Sequence, residues 1–464
     1  MSVQSSPGTD VTEMDDQFIG SLFVGIIFLA VTGFTLNFVT SNTTIFDDAG
    51  FSNALVQILL GIAFIMVVAI FANYKALDFL QDHAVAILIW SYRLMIGFFI
   101  GVIFLIGVLL LPSIVGIILL IVGAGIIFLV FRFWERLERR LRIAGEWISI
   151  SATVVLNEPG MIVISFIQSL IVGIAAITEI LAWYAWLNFA EAEGVSGGVS
   201  DGVVYGILFL YLWLTLSILY YFDGANTFIA YVRLKGYDPK VGQGINAATK
   251  KIPSIIMYAL ISAIVTVIVF LLSQAGRAQM REGRQTNNPG AVALGIFLSI
   301  VASIAATLYH FVSFFTLPSI IIRQNTTFEA MSESSALFQR LFWDVIITDT
   351  GYSIASRVMY IFSGLVLGIV GFAYGYIVAS PAAGTEDPVF WGILVGVLSL
   401  IVGLLITKFF LRPLYTTIVT TTYVYATEGP EVLANISDKL IAHMQEVEAS
   451  PRARRGPSSR RVRF

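Results

Sequence analysis

Glu179 is the residue with the clearest capacity for chemistry, because it is the only carboxylate well inside a long apolar run. Gln168 precedes it by 11 residues, and a turn of about 100° per residue places both on nearly the same helical face. A carboxylate in hydrocarbon becomes protonated or pairs with a polar group. Glu179 therefore either handles an ion or solute, or reaches the membrane surface beside Trp183 and Tyr184.

A polar stripe with a histidine follows in a later apolar run. Its members are Ser303, Thr307 and His310, at steps of four and three residues that keep one helical face. An imidazole within a bilayer must face protein or water. The stripe either lines a path for a solute or proton, or His310 bonds to a carbonyl or tyrosine hydroxyl of a neighbouring helix. With Glu179 and Gln168, these residues form the predicted polar cavity.

Stripes of small residues mark the last two apolar runs. Steps of four, three and four residues place the four members of each stripe on one helical face. Small residues let backbones approach closely, which holds helices together where lipid is as apolar as the side chains. The stripes predict a tight antiparallel helix pair, or a face shared with another copy of the chain. Their members are Gly364, Gly368, Gly371 and Gly375, and then Gly392, Gly396, Ser399 and Gly403.

The composition sets the class of protein. Of the 464 residues, 57% are hydrophobic and 12% are charged, against roughly 45–50% and 25% in soluble domains. Several apolar runs are long enough to cross a hydrocarbon layer about 30 Å thick. This excludes a soluble enzyme and predicts an all-α, polytopic transmembrane bundle of about ten spans, surrounded by lipid.

Other chemistry finds no support in the sequence. The chain has no Cys, and its three His residues are far apart, which excludes disulfides and thiolate sites and leaves no metal-ligand spacing. It lacks a phosphate-binding glycine loop and a serine nucleophile motif. We therefore expect no enzyme activity, no metal or cofactor, and no nucleic-acid partner.

The charge pattern divides the chain into five parts. We expect a disordered acidic N-terminus at 1–17, a four-span unit at 18–131, a basic amphipathic interfacial linker at 132–158, a six-span unit of three hairpins at 159–425, and a cytoplasmic tail with an Arg-rich end at 426–464.

Pro112 interrupts an apolar stretch that runs from Leu94 to Phe131. Proline removes a backbone donor and disrupts a helix. The stretch therefore predicts two short spans, 94–111 and 113–131, folded as a hairpin. One long kinked helix is the alternative.

The distribution of Lys and Arg orients the spans. With both termini inside, all but three of the 27 basic residues fall in inner segments or at inner span ends. The exceptions are Arg277, Arg281 and Arg284, which would suit an acidic partner or their own neighbour Glu282. The positive-inside rule therefore predicts N-in and C-in, with the basic inner segments facing anionic lipid head groups.

Two segments have a recognisable layout. The first contains Tyr221, Phe222, Asp223, Ala225, Leu234, Gly236, Pro239, Gly244, Ala248 and Pro253, and the second contains Pro318, Ala330, Ser334 and Trp343. On these residues the chain resembles, over roughly 150–420, an uncharacterised multi-pass membrane family of bacteria and archaea. The resemblance implies a multi-pass protein of the cell membrane, which in a prokaryote is the cytoplasmic membrane. It implies no catalytic residue, and Asp223 stands where the family often has Asn.

Two functions fit these observations. The first is a transporter or permease-like protein for a small solute or lipid, working through the faces of Glu179 and His310. The alternative is a non-transporting scaffold or assembly partner, in which the glycine faces join a homo-oligomer or another membrane protein. Transport is the preferred prediction because the two polar stripes need an explanation.

Overall fold

The computed structural model describes residues 49–111, 113–192, 197–379 and 388–433. Every regular element in these ranges is a helix. Eight helices among them are long and apolar enough to cross a membrane. The chain is therefore an all-α membrane-spanning protein. The predicted N-terminus at 1–17, residues 18–48 of the predicted four-span unit, Pro112 and the Arg-rich end of the tail lie outside the described residues.

Ten α-helices are described. They are α1 (Ala49–Leu109), α2 (Ile114–Asn157), α3 (Pro159–Ala192), α4 (Gly197–Leu234), α5 (Val241–Lys250), α6 (Ile252–Gln285), α7 (Pro289–Ser313), α8 (Thr316–Ile322), α9 (Thr327–Tyr374) and α10 (Pro388–Glu428). A π-helical turn, Gly375–Ala379, follows α9, and a 3-10 turn, Pro430–Leu433, follows α10. A non-helical backbone at Leu341 kinks α9.

The chain reverses direction between α1 and α2, where the sequence predicts a break. Ser113 caps α2, since its Oγ accepts a hydrogen bond from the N–H of Gly116 at 3.2 Å. The two helices then pack closely, because a Cβ at Gly116 would lie 2.7 Å from the carbonyl oxygen of Gly107. The predicted hairpin is confirmed at this turn.

The length of α1 corrects the sequence-based count of spans. Two apolar runs that the sequence predicts as separate spans of the four-span unit, 51–73 and 94–111, both lie in this one helix. Residues 74–93 contain neither Gly nor Pro, so the exposed charges at Lys75 and Asp78 mark a solvated helix face rather than a break. The described residues therefore hold one candidate span fewer than the sequence predicts.

The basic segment 132–158 also differs from expectation, because it continues α2 instead of forming a separate helix. Its Leu141 and Trp147 are buried. Glu138 pairs with Arg142 at 2.9 Å and with Arg93 of α1 at 3.5 Å. Ion pairs within α2 and with α1 thus use part of its charge. Its predicted location at a membrane surface stays a prediction.

The described residues form two compact units. The first takes in the chain up to Phe79 together with Val155–Ile164 and Ser356–Arg412. In its interior Ser363 Oγ donates to Asn73 Oδ1 at 3.1 Å. The ring of Tyr74 meets that of Phe410 edge-on, with centroids 5.3 Å apart. A buried amide and an aromatic pair therefore join helices within this unit.

The second unit contains Leu80–Val154, Ser165–Ala355 and the chain from Pro413 onward. Its core includes Phe315 and Tyr423, both buried. At the end of α4, Lys235 forms an ion pair with Glu428. The hydrogen bond that Lys235 donates to the Glu428 carboxylate raises the pKa of the Lys235 ammonium. This unit holds all of the polar groups considered next.

Candidate functional site

Five polar side chains are buried where α3 and α4 pack together. This α3–α4 cluster consists of Ser165, Gln168, Asp223, Asn226 and Thr227. Gln168 Nε2 donates to the carbonyl oxygen of Leu219 at 3.0 Å and to Asp223 Oδ1 at 3.3 Å. One turn away, Asn226 Nδ2 donates to Ser165 Oγ at 3.2 Å. Hydrogen bonds between side chains thus join the two antiparallel helices.

Two oxygen atoms of the cluster lack a hydrogen-bond partner within the described residues. They are Asn226 Oδ1 and Thr227 Oγ1, on side chains that are 0% and 1% exposed. A buried polar group without a partner costs about 1–3 kcal/mol. Steps of three and four residues from Asp223 place both on its helical face. The face can therefore offer a carboxylate, an amide oxygen and a hydroxyl to a small cation, water or polar solute.

The cluster lies at one end of an apolar helix. Residues 203–222 of α4 are uncharged, and 20 helical residues span about 30 Å, one hydrocarbon thickness. Asp223 follows directly, although α4 continues to Leu234. The length of this uncharged stretch predicts that the cluster lies near one edge of the hydrocarbon layer.

A tyrosine group extends this polar region along α4. Tyr220, one turn before Asp223, donates to Ser262 Oγ of α6 at 3.2 Å. Ser262 Oγ lies 2.6 Å from the hydroxyl of Tyr309 on α7. The rings of Tyr220 and Tyr258 stack with centroids 4.5 Å apart. Polar groups on α4 therefore reach from α3 on one side to α6 and α7 on the other.

The residues of the predicted cavity have different surroundings. Gln168 lies in the α3–α4 cluster, whereas Glu179 is half-buried and, within the described residues, has no hydrogen-bond or ion-pair partner. His310, Thr307 and Ser303 are exposed on α7. His310 Nε2 lies 3.4 Å from Asp349 Oδ1, and no hydrogen bond or ion pair joins it to Glu179 within the described chain. A cavity shared by all five stays a prediction.

The glycine stripes of α9 and α10 face each other in the first unit. A Cβ at Gly371 would collide with the side chain of Ser399 and lie 3.0 Å from the carbonyl oxygen of Val395. One at Gly396 would lie 3.3 Å from the carbonyl oxygen of Gly368. The approach is looser at Gly368, where the nearest atom to an added Cβ is 3.9 Å away. The two helices thus approach more closely at Gly371 than at Gly368.

Contacts elsewhere on the stripes follow the same arrangement. A Cβ added at Gly375 would collide with the carbonyl group of Trp391, and one added at Gly403 would collide with the Leu367 side chain. At Gly392 it would lie 2.9 Å from the ring of Phe372, and at Gly364 it would lie 3.9 Å from Leu404.

A carboxylate that the sequence did not single out joins α8, α9 and α10. Glu333 Oε2 accepts from Ser319 Oγ at 2.6 Å and from Asn325 Nδ2 at 2.8 Å. Glu333 Oε1 accepts from Tyr423 at 3.2 Å and pairs with Arg323 at 3.1 Å. With all these donors supplied by the fold, Glu333 is a structural anchor. In the sequence, only the position of Glu333 on an amphipathic segment points to this structural role.

Among the residues that the structure describes, no group of three His, Asp or Glu side chains could hold a metal ion. The absence of a metal or cofactor stays a prediction. Helices and buried polar groups together define a polytopic helical membrane protein with a polar region at one end of its spans.

Residues 202–432 match DUF6159, a family of unknown function. This match agrees with the expected resemblance to an uncharacterised family, although it begins later in the chain than expected. The comparison with curated proteins gives no match. The match includes Asp223, Asn226 and Thr227 but not Gln168 or Glu179.

Several residues that carried the resemblance have clear structural roles. Gly236 ends α4 with a φ of +82°, which favours glycine. A Cβ at Gly244 would lie 2.7 Å from the carbonyl oxygen of Ala225. Ser334 Oγ accepts from the N–H of Phe315 at 2.9 Å. The motif therefore maintains turns and close helix contacts, and Asp223 is its buried ionisable member.

Proposed function

We propose that this chain is a transporter or permease-like membrane protein for a small solute. The observation that carries the proposal is the pair of unpartnered oxygens beside Asp223 in the α3–α4 cluster. Polar groups inside membrane proteins are expensive and mark ion or substrate pathways. The oxygen and amide groups of the cluster can bind an ion or a small polar solute, whereas they offer nothing to the apolar acyl chains of a lipid.

Asp223 has the central role in this proposal. In the structure its carboxylate accepts a hydrogen bond from the Gln168 amide. During transport, the solute or a proton would take the place of that amide. Asn226 and Thr227 supply further ligand atoms, and Tyr220 orients the face through Ser262. Glu179, on the same helix as Gln168, remains a candidate along the path.

Proteoliposomes test the proposal with named probes. Proton entry is followed with a trapped pH-sensitive dye under an imposed membrane potential, and sodium entry with a radioactive tracer. We expect flux above that of empty vesicles, and its loss in Asp223→Asn. Glu428→Gln, which changes an acid outside the cluster, is the matched control. Equal rates in empty vesicles, wild type and Asp223→Asn would contradict transport of these ions through the cluster.

A scaffold role is the second candidate, favoured by the exposed polar face of α7. Ser303 and Thr307 are exposed, and the His310 side chain is 46% exposed. Contact between polar side chains and lipid is unfavourable. An exposed polar face on a membrane helix therefore favours burial against another protein, such as a second copy of this chain. Ser303→Cys should then form a disulfide between copies in membranes, whereas exposed Ile304→Cys should form less.

Topology and lipid contact complete the proposal. The Lys and Arg distribution supports a cytoplasmic C-terminus and lipid contact through exposed Arg132 and Arg136. The continuous α1 argues against counting two crossings there, and one crossing fewer than the predicted ten would place the two termini on opposite sides of the membrane. Because the chain lacks Cys, Ser196→Cys should react with an impermeant maleimide in intact cells and Ser458→Cys should not. The reverse pattern would contradict this topology.

A further inference from the structure

A row of arginines lies along the end of α6. Arg277, Arg281 and Arg284 follow at steps of four and three residues, which places them on one helical face. With Met280 and Gln285 they line an open cavity of about 320 Å³.

The positive charge of this row is not balanced locally. In the described part of the chain, none of the three arginines forms an ion pair, and neighbouring Glu282 pairs with none of them. Arg277 Nε donates only to the carbonyl oxygen of Ser273 in its own helix, at 3.4 Å. The guanidinium groups of Arg281 and Arg284 thus remain available to an anion.

The row stands on a tightly packed helix pair. A Cβ at Gly283 of α6 would lie 2.7 Å from the backbone nitrogen of Val292 of α7, and one at Gly295 would lie 2.6 Å from the carbonyl oxygen of Gly276. Asn288 caps α7 by accepting from the N–H of Gly290 at 3.0 Å. The backbone that carries the arginines is therefore fixed before a ligand binds.

The position of the row fits a lipid head group. The apolar stretch of α6 ends at Leu272, and Arg277 follows about 8 Å further along the helix, at the outer edge of the head-group layer. Arg281 and Arg284 lie one and two turns beyond it, and helical side chains tilt toward the N-terminus, which here is the apolar side of α6. Phe270 and Leu271 below the row are exposed, as is Phe297 on α7. Arginine binds phosphate in a bidentate manner. We propose that this face binds an anionic phospholipid, with its phosphate at the arginines and its acyl chains along the exposed apolar residues.

Native mass spectrometry of the purified full chain in neutral detergent tests the site. Phosphatidylglycerol is titrated in one arm, phosphatidylcholine in the second, and inorganic phosphate competes in the third. We expect the combined variant Arg277→Gln, Arg281→Gln and Arg284→Gln to bind phosphatidylglycerol about tenfold more weakly or worse, because each basic residue near an anionic surface contributes. Phosphatidylcholine binding should not change.

Two further variants make the outcome specific. Removing three exposed basic residues elsewhere (Lys240→Gln, Lys250→Gln and Arg340→Gln) should weaken binding less than removing the three arginines of the row does. The triple Arg→Lys variant retains the charge and should bind at an intermediate level, which covers the case in which the Gln variant fails to fold. Equal weakening in the two Gln variants, or displacement of the lipid by inorganic phosphate at equal concentration, would overturn the proposal.

Discussion

Two antiparallel helix pairs in this protein are joined in different ways. The α9–α10 pair is held by backbone approach at the glycine stripes, and its Ser399 hydroxyl returns to the carbonyl oxygen of Val395 in its own helix. The α3–α4 pair is held by hydrogen bonds between side chains, from Gln168 to Asp223 and from Asn226 to Ser165.

The difference between the two pairs is the reason for proposing a functional role for the α3–α4 pair and a structural role for the α9–α10 pair. Burial from water cannot drive helices together in lipid, so close backbone contact is an efficient way to join them. The α9–α10 pair shows that this chain can use that solution, because the one polar side chain of its stripes, Ser399, bonds within its own helix. The α3–α4 cluster instead buries five polar side chains and leaves two oxygens without partners. Packing does not explain the free-energy cost of burying these groups, and we therefore propose that the α3–α4 cluster is the functional site.

The largest effect is expected from wedging the glycine pair apart. Gly371→Leu forces a side chain into the space held by Ser399 and should lower the free energy of unfolding by about 1–3 kcal/mol, as overpacking does. Gly368→Leu is the matched control on the same stripe, because its added Cβ meets only Leu400 at 3.9 Å. Thermal unfolding in detergent measures both. Equal losses would show that the whole stripe, not the contact at Gly371, holds the pair.

A smaller effect is expected from the polar pair. Gln168→Met keeps the shape of the side chain and removes its bonds to Leu219 and Asp223. Interhelical hydrogen bonds in membranes average about 0.6 kcal/mol and reach about 1.7, so the loss of stability should fall in that range. Ser169→Ala, which loses only a bond to Ser165 within the same helix, should be nearly silent. A silent Gln168→Met would mean that the cluster does not join the helices.

The smallest effect is expected at His310, which belongs to neither pair. Its contact with Asp349 is partly exposed, and such pairs contribute at most about 1 kcal/mol. A double-mutant cycle with His310→Gln and Asp349→Asn should return a coupling energy below that value. A larger coupling would show that another protein copy buries this face in the membrane.

The glycine stripes and Gln168 could be identified from the sequence, because helical periodicity is a local property of the chain. Asn226 and Thr227 could not, since polar residues after an apolar run resemble the start of a loop while α4 continues to Leu234. Asp223 was noticed only through the family resemblance. The continuous α1 was missed because charges were interpreted as a break in a segment that lacks Gly and Pro. Contacts between distant residues, such as those of Glu333, leave no periodic signal.

Reactivity of a single thiol at position 227 tests most directly whether the α3–α4 cluster opens to water. Thr227→Cys and Ala225→Cys replace neighbours that are 1% and 0% exposed, so the static structure shields both. In membrane vesicles, we predict that a small hydrophilic thiosulfonate reagent modifies the thiol at 227 and leaves the thiol at 225 unmodified. Protection of both thiols in a folded protein would contradict the proposal that this cluster is part of a solute path.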